Sequence, residues 1–148
     1  MEIDKTLQFD APPPALWALL LDPVAMGACV PGMQSIEVVS DDEYIAQMQV
    51  KISFISANFK LRTRIVERDA PRYLRAEGTG EDTKVASSLK QSSEMWLTPR
   101  ADGGTELRMK VKADVFGRMG AFGLNVMKTK ADRLWDEFGT NAAARLAA

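Results

Sequence analysis

The sequence predicts an α+β fold in which a curved seven-stranded antiparallel sheet wraps around a long C-terminal helix. Seven segments alternate apolar and polar side chains, which is the period of a strand with one buried face. Short turns join the last six of them, as in an antiparallel meander. From Met127 onward, apolar residues recur at spacings of three and four, which predicts an amphipathic helix. This helix is long enough to cover the sheet, so we expect a helix-grip layout.

The first strand and two short helices open the chain. Residues 2–9 alternate and predict the strand. Pro13 or Pro14 begins the first helix, because proline suits the first helical turn. Asp22 is placed to cap a second helix over residues 23–29, since its carboxylate can accept the free N–H groups of the first turn.

The rest of the sheet and the closing helix follow. The six further strands are predicted at residues 33–40, 43–54, 57–68, 72–78, 87–98 and 105–115. The start of the closing helix has two interpretations. The helix begins near Gly117, so that its glycines leave a hollow against the sheet, or residues 117–123 form a loop and the helix begins near Leu124.

Composition excludes several functions. We expect a single domain over residues 1–148 that has no nucleic-acid partner, because the formal net charge is -1. The chain has no histidine, which removes the commonest general base, and it contains no metal-ligand cluster. One cysteine and an N-terminus without a signal peptide predict a cytoplasmic protein.

A strongly curved sheet around one helix is rarely filled by side chains, so we expect an apolar ligand cavity between them. Plain core packing is the alternative for each of its apolar residues. The candidate ligand-binding residues are Val30, Pro31, Met48, Ile52, Phe54, Phe59, Leu61, Gln91, Met95, Met109, Val111, Phe116, Met119, Gly120, Phe122, Gly123 and Met127. Inward polar residues Thr63, Gln91 and Ser93 either orient a ligand carbonyl or bond each other or water.

The mouth of this cavity is expected where four segments meet. These are the turns at 55–57 and 80–86, the turn from Val30 to Gly32, and the start of the last helix. Outward basic rows flank the sheet and form either a solvated face or a surface for an anionic membrane or acidic partner. The rows are Lys60, Arg62, Arg64, Lys110 and Lys112.

Two motifs carry a family resemblance. The run from Leu7 to Pro23, L-x-F-x-A-P-x-x-x-L-W-x-L-L-x-D-P, resembles the START/Bet v 1-like (SRPBCC) superfamily. The continuation C-V-P-G-M from Cys29 to Met33 is similar to the CoxG family, which is named for the CoxG subunit of carbon monoxide dehydrogenase. The stretch from Gly117 to Phe138 is similar to the final helix of that family. The resemblance covers about residues 3–140.

The resemblance implies an accessory protein of molybdenum-hydroxylase-type CO dehydrogenases. Its cavity is expected to take a lipophilic electron carrier such as a quinone, with no covalently bound cofactor. The resemblance also implies a cytoplasmic protein in peripheral contact with the inner membrane face. Some members carry a C-terminal extension associated with membrane attachment, whereas this sequence ends at Ala148, directly after the helix, so anchoring by such an extension is not expected.

Two alternatives stay open. One is an assembly factor with an empty cavity. The other is a cyclase or hydratase of the same superfamily, which needs an inward acid or base. The inward-phase charged residues are Lys5, Glu67, Arg75 and Glu77.

Overall fold

A single antiparallel sheet and three helices make up the fold. The computed structural model describes residues 1–148. The strands are β1 Glu2–Phe9, β2 Met33–Val38, β3 Glu43–Ile52, β4 Ile55–Asp69, β5 Tyr73–Asp82, β6 Ser87–Pro99 and β7 Thr105–Gly117. The helices are α1 Pro13–Leu21, α2 Pro23–Cys29 and α3 Leu124–Ala147, with a short 3₁₀ turn at Gly120–Phe122.

The sheet has the order β1-β7-β6-β5-β4-β3-β2, and all neighbouring strands are antiparallel. The predicted fold class is therefore confirmed, with α3 lying across the inner face of a curved sheet. The predicted helix cap is also present. Asp22 accepts the backbone N–H groups of Val24 and Ala25 at 3.1 and 3.2 Å and fixes the start of α2.

Several predicted boundaries were wrong. The β3–β4 turn consists of Ser53 and Phe54, two residues earlier than predicted, and Ile52 pairs directly with Ile55. The end of the fifth strand, predicted at residue 78, was also wrong, because β5 continues to Asp82. At the last helix, the loop interpretation is confirmed, since α3 begins at Leu124.

The core divides into two clusters at opposite ends of the sheet. The first core cluster joins α1, α2 and the C-terminal half of α3, and it includes Leu16, Leu107 and Phe138. The second core cluster lies under the β3–β4 turn and includes Phe59 and Met127. None of the helices combines the length and the hydropathy that a membrane-spanning helix requires.

An ion pair also holds α3 to the sheet. Lys5 Nζ of β1 lies 2.7 Å from a carboxylate oxygen of Asp132 and 2.7 Å from one of Asp136. Burial alone would lower the pKa of Lys5, but hydrogen bonds to the two carboxylates outweigh this effect and raise it. The lysine therefore acts as a charged clamp between the first strand and the last helix.

Candidate ligand cavity

A cavity of about 330 Å³ separates the two core clusters, and 24 of its 29 lining residues are hydrophobic. Small side chains produce it. Across β4 to β7, Thr63, Gly78, Gln91 and Ala113 are successive register partners, and none of them carries a large apolar group. Because this row lacks large apolar side chains, the space between the sheet and α3 is not filled there.

The helix supplies the opposite wall from one face. Its lining residues recur at the helical period, and they are Met127, Lys130, Ala131, Leu134, Trp135 and Phe138. Lys130 is the one charged side chain among the residues that line the cavity. It occupies a position of the apolar stripe and also lines an adjoining cleft between β3 and α3.

The polar groups of the cavity lie together on the sheet. Tyr44 and Thr63 are register partners on β3 and β4, Gln91 lies across Gly78 of β5 on β6, and Ser93 stands one row further along β6. Gly78 makes room for them, because a Cβ there would lie 2.8 Å from Nε2 of Gln91 and 3.4 Å from Oγ1 of Thr63. Burial raises the pKa of Tyr44, and the Thr63 hydroxyl only partly offsets that shift. A ligand would therefore meet neutral hydrogen-bonding groups at the sheet.

The structure places part of the predicted site on the cavity wall. These residues come from the α2–β2 turn, the sheet, the 118–123 segment and α3. They are Val30, Ile52, Phe59, Gln91, Met95, Val111, Met119 and Met127. The inward polar residues Thr63 and Ser93 line it as well.

Three predicted residues with inward strand phase do not line the cavity. Met109 is only 1% exposed within the first core cluster. Leu61 packs on the second core cluster and lies over Gly80, where a Cβ would come 2.5 Å from its Cδ2. Met48 pairs with Met33 near the edge of the sheet. Their predicted inward orientation does not bring them to the ligand cavity.

Two predicted aromatic residues point away from the cavity. Phe54 lies in the β3–β4 turn, where strand alternation no longer applies, and it is 84% exposed. Phe116 pairs with Ser88 on the outer face of β7 and is 56% exposed. Neither side chain lines the cavity.

The remaining predicted residues also lie outside the lining. Pro31 is half-buried in the turn before β2. Phe122 packs on the second core cluster, with its ring 6.4 Å from that of Phe54. A Cβ at Gly120 would overlap the carbonyl oxygen of Val115, and one at Gly123 would meet nothing within 4 Å. These two glycines serve the backbone path of the segment rather than the cavity.

Other lining residues were missed. They are Met1, Ile3, Leu20, Leu21, Pro23, Met26, Tyr44, Val50, Ile65, Leu74, Ala76, Leu89, Ala113, Val115, Lys130, Ala131, Leu134, Trp135 and Phe138. Strand alternation points to Tyr44 and Val50, and the helical period points to Lys130 and Trp135. The contributions of α1 and α2 have no comparable signal, since packing decides which helix face meets the cavity.

Three of the four segments expected at the mouth do meet. The β3–β4 and β5–β6 turns and the start of α3 surround the 118–123 segment, which Ser87 anchors by accepting the N–H of Met119 at 3.0 Å. The turn from Val30 to Gly32 contacts Gln49 and the later part of α3, where Asn141 donates to the carbonyl of Cys29. It therefore forms a side wall and not part of the mouth.

The four charged residues that were predicted to point inward, Lys5, Glu67, Arg75 and Glu77, do not line the cavity. Lys5 is engaged with α3. An irregularity in β4 places Glu67 opposite Arg75, and Arg75 pairs with Glu77 on the outer face at 3.3 Å. The predicted inward orientation of these three residues was wrong. The basic rows on β4 and β7 are exposed, as predicted.

The fold is the helix-grip fold of START/Bet v 1-like proteins, as a comparison with solved structures shows. A conserved protein from Geobacillus kaustophilus is 21% identical with a TM-score of 0.92, and the match covers 99% of this chain and 95% of that one. A START superfamily protein from Mycobacterium smegmatis is 10% identical, with a TM-score of 0.76 and coverage of 99% and 97%. The Zhui aromatase/cyclase from Streptomyces is 14% identical, with a TM-score of 0.69 and coverage of 99% and 93%.

The family is narrower than this class. The family model for the CoxG subunit of carbon monoxide dehydrogenase matches residues 6–147. The chain therefore belongs to the CoxG family, as the N-terminal motifs predicted. No curated protein matches the sequence.

Proposed function

We propose that this protein is an accessory subunit that holds a lipophilic small molecule for a CO dehydrogenase-type oxidoreductase. The cavity of about 330 Å³ is the observation that carries the proposal, because its walls are apolar and its polar groups are grouped on one side. Membership of the CoxG family supports the enzymatic context. The partner enzyme that we propose contains molybdenum.

We propose a quinone as the ligand. A quinone accepts and returns electrons, so it can connect a dehydrogenase to an electron-transfer chain. Its ring carbonyls need hydrogen-bond donors, which the Gln91 amide and the Thr63 and Tyr44 hydroxyls can supply. The volume is near the low end of the range of roughly 300–1,000 Å³ for ligand pockets, which favours the ring and only part of a long chain within the cavity.

The site of action that we propose is the cytoplasm, in peripheral contact with the inner membrane face where quinones reside. Exposed apolar side chains near the cavity mouth support such contact. Phe54 is 84%, Leu124 59% and Val126 44% exposed. Sedimentation with lipid vesicles tests this point, and Phe54→Ser should reduce the bound fraction.

Quinone binding has an intrinsic reporter. Trp135 lines the cavity, whereas Trp96 lies on the outer face against Tyr73 and Arg108. Menadione should quench the fluorescence of the wild-type protein and of Trp96→Phe, and most of the quenching should disappear in Trp135→Phe. Organic extraction of the purified protein with mass spectrometry should identify the natural ligand. Absence of both quenching and an extracted lipophile would refute the proposal.

The accessory role is tested with the partner enzyme. Ala76 lines the cavity, and Ala76→Leu fills part of it at a cost of about 1–3 kcal/mol. This variant should still co-purify with the oxidoreductase but should transfer fewer electrons to quinone. If it supports the enzyme as well as the wild type does, the protein acts as an assembly factor and the ligand proposal fails.

A further inference from the structure

A second cleft adjoins the ligand cavity. It has a volume of about 410 Å³ and lies between the end of β3 and the first turns of α3. Ile52 and Lys130 line both the cavity and this cleft, so the two spaces meet at these residues.

The cleft is strongly cationic. Lys51, Lys130 and Arg133 line it, and no acidic residue does. None of the three cations belongs to an ion pair, although the chain forms ion pairs elsewhere through Lys5, Arg100 and Arg108. A chain of formal net charge -1 therefore concentrates three uncompensated positive charges at the opening of its apolar cavity.

The backbone adds to this potential. The cleft includes the first turn of α3, a helix of 24 residues whose first turn has no acidic residue and whose N-cap makes no side-chain hydrogen bond. Its free N–H groups form the positive end of the helix dipole. Asn125, in the same turn, lines the cleft with a polar side chain.

We infer that the cavity and the cleft together bind an anionic amphiphile. The apolar chain lies in the cavity, and a carboxylate or phosphate head is held by Lys51, Lys130 and Arg133. The inference rests on the proposed function only in that the cavity must accept an apolar body. A neutral quinone would use the cavity without the cations, so the two ligand classes differ in how they depend on the cleft.

Matched ligands separate the contributions. Isothermal titration calorimetry would compare dodecanoate, dodecyl phosphate and dodecanol below their micelle concentrations, with acetate and inorganic phosphate as free anions. The two charged amphiphiles should bind at least about tenfold more tightly than dodecanol, since charge-assisted hydrogen bonds are the stronger ones. This preference should shrink as salt is added. The free anions should bind far more weakly than the amphiphiles.

Variants locate the head group. Lys51→Gln and Arg133→Gln should each weaken dodecanoate binding about fivefold, the scale of an exposed charge pair, and leave dodecanol binding unchanged. Lys128 is exposed on the same helix and lines neither space, so Lys128→Gln serves as the matched control. Circular dichroism would check that all variants are folded.

Each remaining outcome is decisive. Equal affinity for dodecanol and dodecanoate would refute the anionic head site and leave the cavity proposal standing. Failure of every amphiphile to bind would refute the inference, whereas the quinone proposal would still be decided by the menadione titration. Binding of inorganic phosphate as tight as that of dodecyl phosphate would show an independent anion site and overturn the inference.

Discussion

Replacing Gly123 by alanine should destabilise the protein without altering its cavity. Gly123 has φ 88° and ψ 164°, a conformation that is nearly exclusive to glycine. A Cβ there would meet nothing within 4 Å, so backbone strain is the whole penalty. Strain of this kind costs about 1–3 kcal/mol. For a chain of this size, that loss lowers the melting temperature by roughly 2–12 °C.

Gly117→Ala adds a second penalty. Its φ is +80°, and its Cβ would overlap the carbonyl oxygen of Ala86. Removing this overlap would require breaking the pairing of Ser87 with Gly117 at the end of the β6–β7 ladder. Ser87 also anchors the 118–123 segment through Met119, so that segment would loosen as well. We expect a loss of at least about 3 kcal/mol, since strain and overlap act together.

Urea unfolding followed by circular dichroism measures these losses. Gly103→Ala is the control, because Gly103 has φ +91° and open space around its Cβ but lies in the β6–β7 turn, far from the 118–123 segment. Gly103→Ala and Gly123→Ala should cost similar amounts, and Gly117→Ala should cost clearly more. If Gly117→Ala is no worse than Gly103→Ala, the reasoning about the overlap is wrong.

Three further perturbations test the cavity, the end of β5 at Asp82 and the Lys5 clamp between β1 and α3. Gly78→Ala should displace the Gln91 amide, which lies 2.8 Å from the new Cβ, and weaken menadione binding several-fold in fluorescence titrations; unchanged affinity would contradict the role of Gln91. Asp82 accepts the N–H of Asn58 at 2.6 Å, which holds its pKa below 3.8, so its contribution is present above about pH 4 and lost as the pH falls through the lowered pKa. Asp82→Asn should therefore differ in stability from the wild type at pH 6 and converge with it near pH 2. Lys5→Met should cost about 1 kcal/mol of unfolding free energy at low salt. Because the pKa of Lys5 is raised above 10.5, the difference should persist to that pH and fade beyond it; a constant difference at pH 12 would exclude the ion pair as its cause.

Strand alternation carried most of the fold prediction, because each strand has one buried and one exposed face. It could not locate the strand ends. In the sequence, the alternation of β3 continues through Phe54. In the structure, the chain already reverses at Ser53, which has a positive φ. Gly78 and Gly80 have the composition of a turn, yet both lie in β5, where neighbouring side chains exclude a Cβ. Composition alone does not distinguish a glycine that forms a turn from a glycine that makes room for its neighbours within a strand.

The site was less predictable than the fold, since lining a cavity depends on neighbours from several elements. Met109 and Met95 share the inward phase and are register partners, but only Met95 lines the cavity, because Met109 is enclosed by the first core cluster. Lys130 was missed for another reason. A lysine within an apolar stripe is usually interpreted as an interruption of that stripe, whereas Lys130 lines both the cavity and the adjoining cleft.

The location of the cavity depends on register, and register depends on turns. The predicted β3–β4 turn would place Ile52 opposite Phe59, whereas Ile52 pairs with Ile55. A shift of this kind keeps every residue on its correct face, because side chains alternate with a period of two, but it slides each cross-strand partner by four residues. The face of the sheet on which each residue lies was therefore predictable, but the residues that share a row across neighbouring strands were not. The hollow requires Thr63, Gly78 and Gln91 to fall in one row, so its position becomes visible only when the turns are known.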